Sequence, residues 1–167
     1  MKKLFIITIV LSLVWAANAQ TTFTVPTPTA EQKYDQTRAL LYNNILALIT
    51  VAKGDGMTAA ELGKKVGEVF IPAWDANGGF EPFVKFILNG WACLGEGVQI
   101  IEQSNEKLVV MVPSLYRPLE NQGVLFGSSV EDFTVYFNAM LNEIAVHYDR
   151  SIEMTREEEG YRIVITL

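Results

Sequence analysis

Apolar residues change their spacing at Gly95–Gly97, and that change restricts the chain to folds combining helices with an antiparallel sheet. Before it, apolar positions recur every three or four residues. Leu41, Ile45, Leu48 and Ala52 form one stripe, widened by Leu40 and Ile49, and predict a helix from Glu31 to about Lys53. Thr58-Ala59-Ala60-Glu61 reads as a capping box, opening a helix with Leu62, Val66, Val69 and Phe70 on one face. Its end is expected near Pro72 or Trp74. Glu81-Pro82 starts a third helix with an aromatic face of Phe83, Phe86, Ile87 and Trp91, preceded by Phe80.

Beyond Gly97 the period becomes two. Residues 97–103 and 107–113 predict a hairpin turning at Asn105-Glu106. The run Leu108 to Val112 is apolar throughout, as expected of a strand buried on both faces. Residues 114–127 read as a long connection, with a short strand at Val124 to Phe126. Ser128-Ser129-Val130-Glu131 reads as a second capping box, before a helix with Val130, Phe133, Phe137, Leu141, Ile144 and Tyr148 on one face. A closing hairpin pairs 151–156 with 161–167 across Glu157-Glu158-Glu159-Gly160. The expected fold class is α+β: N-terminal helices on an antiparallel sheet of two hairpins, which are separated by a long amphipathic helix.

The first residues stand apart from this pattern. Lys2 and Lys3, the apolar run Leu4 to Trp15 and Ala17-Asn18-Ala19 have the order of a secretory signal peptide cleaved after Ala19. Residues 20–30 are Thr- and Pro-rich and read as a spacer, leaving 31–167 as a single domain. Without residues 1–19, 11 Lys+Arg face 19 Asp+Glu, a net charge of −8. Such an acidic chain argues against a nucleic-acid surface. No other apolar run approaches the roughly 18 residues of a spanning helix. The expectation is an exported soluble protein, periplasmic or extracellular.

Candidate chemistry is sparse. Cys93 and His147 are each the only residue of their type. A Cys–His pair would make an activated thiolate, and a hydrolase using Cys93 as nucleophile and His147 as base is one reading. The plainer one is a small buried thiol and a helix-end imidazole. A single Cys and a single His do not support a zinc or haem site, so no metal or cofactor is expected. Asp75-Ala76-Asn77-Gly78 opens like a calcium loop, but Gly79 and Phe86 stand where further oxygen ligands belong, so a helix-breaking turn is expected. The aromatic residues are the most suggestive set. Trp74, Phe83, Trp91, Met111 and Tyr136 are expected to line an apolar pocket between helices and sheet, with Arg117 at its mouth. This favours a non-enzymatic module binding a small apolar or aromatic molecule. A protein–protein interaction domain is the remaining reading.

The layout resembles small-molecule-binding domains of the haem-NO-binding and 4-vinyl-reductase group. It is also similar to L-2-amino-thiazoline-4-carboxylic acid hydrolase-like proteins, and the leader looks like that of exported bacterial proteins. The likeness rests on Gly79-Phe80-Glu81-Pro82-Phe83-Val84, on Trp91-Ala92-Cys93, and on Ser129 through the Tyr161-to-Leu167 strand. It extends over residues 35–167 and implies an α+β domain that holds a small ligand. The chain departs from the haem-binding branch in lacking a proximal His, and from metal-binding branches in lacking several Cys. No catalytic residue carries over.

Overall fold

Helix α1 (Ala30–Gly54) begins where Thr29 and Gln32 cap each other, with the Thr29 hydroxyl accepting from the Gln32 amide and the Gln32 side chain accepting from the Thr29 amide. This computed structural model describes residues 27–167, so the expected signal peptide and most of the expected spacer lie outside the described residues. Tyr34–Leu167 form one compact unit. The face that α1 buries is Tyr42, Leu46, Ile49 and Ala52. The expected stripe was centred too far round the helix: Leu40, Leu41 and Leu48 are exposed. An apolar stripe broad enough to surround most of a helix does not say which side meets the core.

Helix α2 (Ala59–Ala76) starts at the Thr58–Glu61 box as expected, with both reciprocal hydrogen bonds made. It does not stop at Pro72. The proline sits inside the helix and gives up one backbone hydrogen bond. The last turn is held by tertiary contacts: Trp74 packs on Phe83 and Phe86, and Asp75 accepts from Tyr148. Asn77 then ends the helix, and Gly78 and Gly79 turn the chain at φ of 96° and 84°. Helix α3 (Phe80–Leu94) follows, burying Phe83, Val84, Ile87 and Trp91.

The sheet is four antiparallel strands in the order β1-β2-β6-β5, built from β1 (Gln99–Gln103), β2 (Lys107–Val112), β5 (Ile152–Glu157) and β6 (Gly160–Thr166). The helices therefore pack on an antiparallel sheet, and the α+β class holds. The register puts Leu108, Val110 and Val112 opposite Ile165, Ile163 and Tyr161, all on the face that joins the helical core. Lys107, Val109 and Met111 point the other way. At the first hairpin the Ser104 hydroxyl accepts from the amides of Glu106 and Lys107.

The connection between β2 and the long helix holds an element that the sequence pattern did not reveal. Arg117-Pro118 begins a six-residue helix, α4 (Arg117–Gln122), too short to show a period. A small hairpin of β3 (Val124–Leu125) and β4 (Ser128–Ser129) follows. Helix α5 (Val130–His147) is capped one residue later than the sequence suggests. Ser129, not Ser128, accepts from the amide at N3, and the N3 residue is Asp132, not Glu131. Ser128 is buried and donates instead to the Leu46 carbonyl, tying the hairpin to α1. Asn138 and Asn142, one turn apart on α5, accept from the amides of Met154 and Ile152 and so satisfy the outer edge of β5.

Helices α2 and α5 pack unusually close. A Cβ at Gly63 would collide with the Tyr136 carbonyl oxygen, and one at Gly67 would stand 2.8 Å from that of Met140. Two glycines four apart lie on one face of α2, and they let the backbones meet.

Candidate functional site

Close contact between α2 and α5 is not matched by α1 and α3, and an apolar cleft of about 390 Å³ lies among the four helices. Leu41, Tyr42 and Ile45 of α1 form one wall, and Val66 and Phe70 of α2 another. Helix α3 contributes Phe86, Ile87, Gly90, Trp91 and Leu94. Tyr136, Phe137, Met140 and Leu141 come from α5, with Leu115 from the connection. Gly90 keeps the space open, since a Cβ built there meets nothing within 4 Å. None of the lining side chains carries a charge.

The aromatic rings form a continuous support. Tyr42 stacks on Tyr116 with ring centroids 4.8 Å apart and meets Phe133 edge-on, and Phe133 packs against Phe137. Burial pushes the Tyr42 hydroxyl up to about 12, and also raises that of Tyr136.

Of the six residues expected to contact a ligand, Trp91 and Tyr136 line this cleft. Phe83 is buried in the core, and Trp74 packs on Phe83 and Phe86, so both support the wall without forming it. Met111 is corrected more sharply. It pairs with Arg162 on the sheet face opposite Val110 and Val112, away from the helices. A strand that is apolar at every position gives no period from which to choose its inward face. The cleft itself lies among helices, whereas a pocket between helices and sheet was expected.

Arg117 is not among the cleft residues either. Its guanidinium makes a two-point ion pair with Glu96, the Nε–Oε1 distance being 2.7 Å and Nη2 meeting Oε2. It borders a separate hollow of about 300 Å³ with Glu120, Arg156 and the Glu157-Glu158-Glu159 turn. The carboxylates around it leave no net positive site for an anion.

The Cys93–His147 pair is not formed. Cys93 is exposed near the C-terminal end of α3. His147 lies at the other end, where the neighbouring Tyr148 ring packs on Phe80. About 20 Å of helix separates Phe80 from Cys93, far beyond the reach of a general base. His147 Nε2 instead lies 3.1 Å from Asp75 Oδ1. The thiol of the folded protein is expected to react fully with a maleimide, at a rate that His147→Ala leaves unchanged. A rate that falls tenfold in the variant would restore the pairing.

Asp75 accepts from the Tyr148 hydroxyl at 2.8 Å, and this hydrogen bond, with a smaller share from His147, holds its carboxyl below the usual range. A carboxyl pKa depressed by folding adds stability above its unfolded value of about 3.9, and that stability is lost as pH falls through the folded value. Tyr148→Phe is expected to move the Asp75 titration upward, observed by NMR of the carboxyl carbon. The variant should also begin acid unfolding at higher pH than the parent.

Compared with protein-family models and with curated proteins, the chain matches neither.

Proposed function

We propose that this protein is an exported, non-enzymatic binding protein that holds a small apolar or aromatic molecule in the cleft among α1, α2, α3 and α5. The single observation that carries the reading is the cleft. The cleft is open to solvent past the exposed Leu41, Phe70 and Phe86, and its wall is uncharged, whereas the hollow bordered by Arg117 is lined mainly by charged residues. A hollow of about 390 Å³ with an uncharged aromatic wall falls in the range of ligand pockets, roughly 300–1,000 Å³. Gly90 supports it, because alanine is the better helix former and glycine at that point leaves space. Export rests on the leader sequence, and among the described residues no helix is long and apolar enough to cross a membrane.

Thermal unfolding against a panel of planar aromatic and medium-chain aliphatic compounds tests the proposal. A ligand at 100 times its Kd adds about 2.7 kcal/mol and raises Tm. No shift with any compound would sink it and favour the interaction-domain reading, for which the exposed Val69, Phe70 and Phe86 offer a surface.

A further inference from the structure

Helix α1 is uncharged on every side for about four turns. From Ala39 to Ala52 it carries no Lys, Arg, His, Asp or Glu, although it packs on the core by one face only, that of Tyr42, Leu46, Ile49 and Ala52. A helix with a single buried face ordinarily turns charged residues to solvent, and one that is apolar all round is ordinarily covered all round. The outer side of α1 is not covered. Tyr34, Leu40, Leu41, Leu48 and Val51 are each between 41% and 63% exposed. Of these only Leu41 belongs to the cleft wall, so a molecule held in the cleft leaves the other four in water.

The spacing of this side fits another helix. Tyr34, Leu41 and Leu48 stand seven residues apart, and Asn44 and Val51 follow Leu41 and Leu48 by three, which is the seam spacing of paired helices. Asn44 is exposed as well, and a polar residue within such a seam sets its register. The extent of the side fits a second copy of the chain. At about half exposure each of the five apolar residues offers on the order of 100 Å², and together they offer on the order of 500 Å². A standard interface buries about 800 Å² of each partner, of which roughly 57% is apolar, or on the order of 450 Å².

Charge favours the same partner. With a net charge of −8 once residues 1–19 are removed, two copies repel wherever their acidic surfaces approach, and a face without charge is where they can meet. An anionic lipid surface repels the chain in the same way, and residues 39–52 lack the basic side chains of helices that lie on membranes.

We propose that the outer side of α1 pairs with the same side of α1 in a second copy, making a two-fold dimer. The exposed Leu40, Leu41, Leu48 and Val51 of each copy are then covered by those of the other. This pairing is independent of ligand binding in the cleft, with which it shares only Leu41, and either can hold if the other fails.

Sedimentation equilibrium of the exported protein, leader removed, tests the dimer between about 1 and 100 µM, at and above the weakest Kd of interfaces of this size. Twice the chain mass is expected. Leu48→Glu puts an unpaired charge into the seam of each copy and is expected to weaken association at least a hundredfold. It should leave a folded monomer with the parent's circular dichroism, because Leu48 is already half exposed. Should that variant fail to fold, Val51→Glu makes the same test one turn later. Ile101→Glu, on the exposed edge strand β1, is the control and should leave the dimer intact. A parent protein that stays monomeric across the range overturns the proposal. If that monomer binds phosphatidylcholine vesicles and Leu48→Glu does not, the face belongs to lipid instead. A dimer that survives both α1 substitutions, or that Ile101→Glu dissociates, also overturns it and places the contact elsewhere.

Discussion

Gly90→Phe is expected to abolish ligand binding in the interhelical cleft while leaving the fold intact. Gly90 lies on α3 between Ile87 and Leu94, all three on the cleft wall, and open space surrounds the position of its absent Cβ. A phenyl ring placed there occupies volume that a ligand needs. Losing about 2.7 kcal/mol of ligand burial lowers affinity a hundredfold. Stability should move the other way, because replacing glycine in a helix interior restricts the unfolded chain. Gly90→Ala isolates that term: it is expected to gain up to about 1 kcal/mol in denaturant unfolding, with little change in binding. A ligand-induced Tm shift that persists undiminished in Gly90→Phe would place the binding site elsewhere.

Gly63→Ala makes the same chemical change on the neighbouring helix and is expected to have the opposite sign. The added methyl would run into the Tyr136 carbonyl, with the Ala139 Cβ at 3.0 Å and the Met140 amide nitrogen at 3.1 Å. Two of these three are backbone atoms of α5, so no rotamer change relieves the contact, and the helices must move apart. Overpacking of this kind costs about 1–3 kcal/mol, more than the helix-propensity gain returns. Urea unfolding of Gly63→Ala and Gly90→Ala side by side checks both signs. Gly67→Ala should follow Gly63→Ala, since its Cβ would lie 2.8 Å from the Met140 carbonyl oxygen. If Gly63→Ala is as stable as the parent, the close α2–α5 contact is not a constraint on the fold. Separation of these helices would also widen the cleft between Val66 and Met140, so any surviving Gly63→Ala protein should bind ligand more weakly.

The parts of this fold that could be read in advance are those governed by local chemistry. A capping box needs only four adjacent residues, and Thr58 and Glu61 make theirs as expected. Where two serines stand side by side, local chemistry allows either to cap. The choice of Ser129 follows from a distant partner, the Leu46 carbonyl that engages Ser128. Helix α4 escaped detection because six residues contain less than two full turns. Pro72 misled for the opposite reason: it is a strong local stop signal, overridden by Trp74 and Asp75 binding to α3 and the end of α5.

The candidate site follows the same division. Its aromatic character was visible in the run from Trp74 to Trp91, because large apolar side chains on helical spacing mark the face on which helices meet, even though Phe86 of that run stays exposed. Which of them would line open space was not. Trp91 and Tyr136 do, while Phe83 lies buried in the core, and the decision depends on how far α1 and α3 stand from the α2–α5 pair. Gly63 and Gly67 lie within the α2 helix, where the sequence pattern singles out only the apolar positions beside them. Their meaning depends on α5, more than 60 residues away in the chain.

Hydrophobic period, caps and turn residues thus determine the number, kind and order of most elements, since each acts within about one turn of helix or one strand. The α+β class follows from that order and from the need to bury one face of every element. Tertiary packing alone assigned Met111 to the outer face of the sheet, separated Cys93 from His147 by the length of α3, and drew Arg117 to Glu96. It alone opened the cleft. A cavity is what remains where side chains from four separate helices fail to meet, and no single segment encodes that distance.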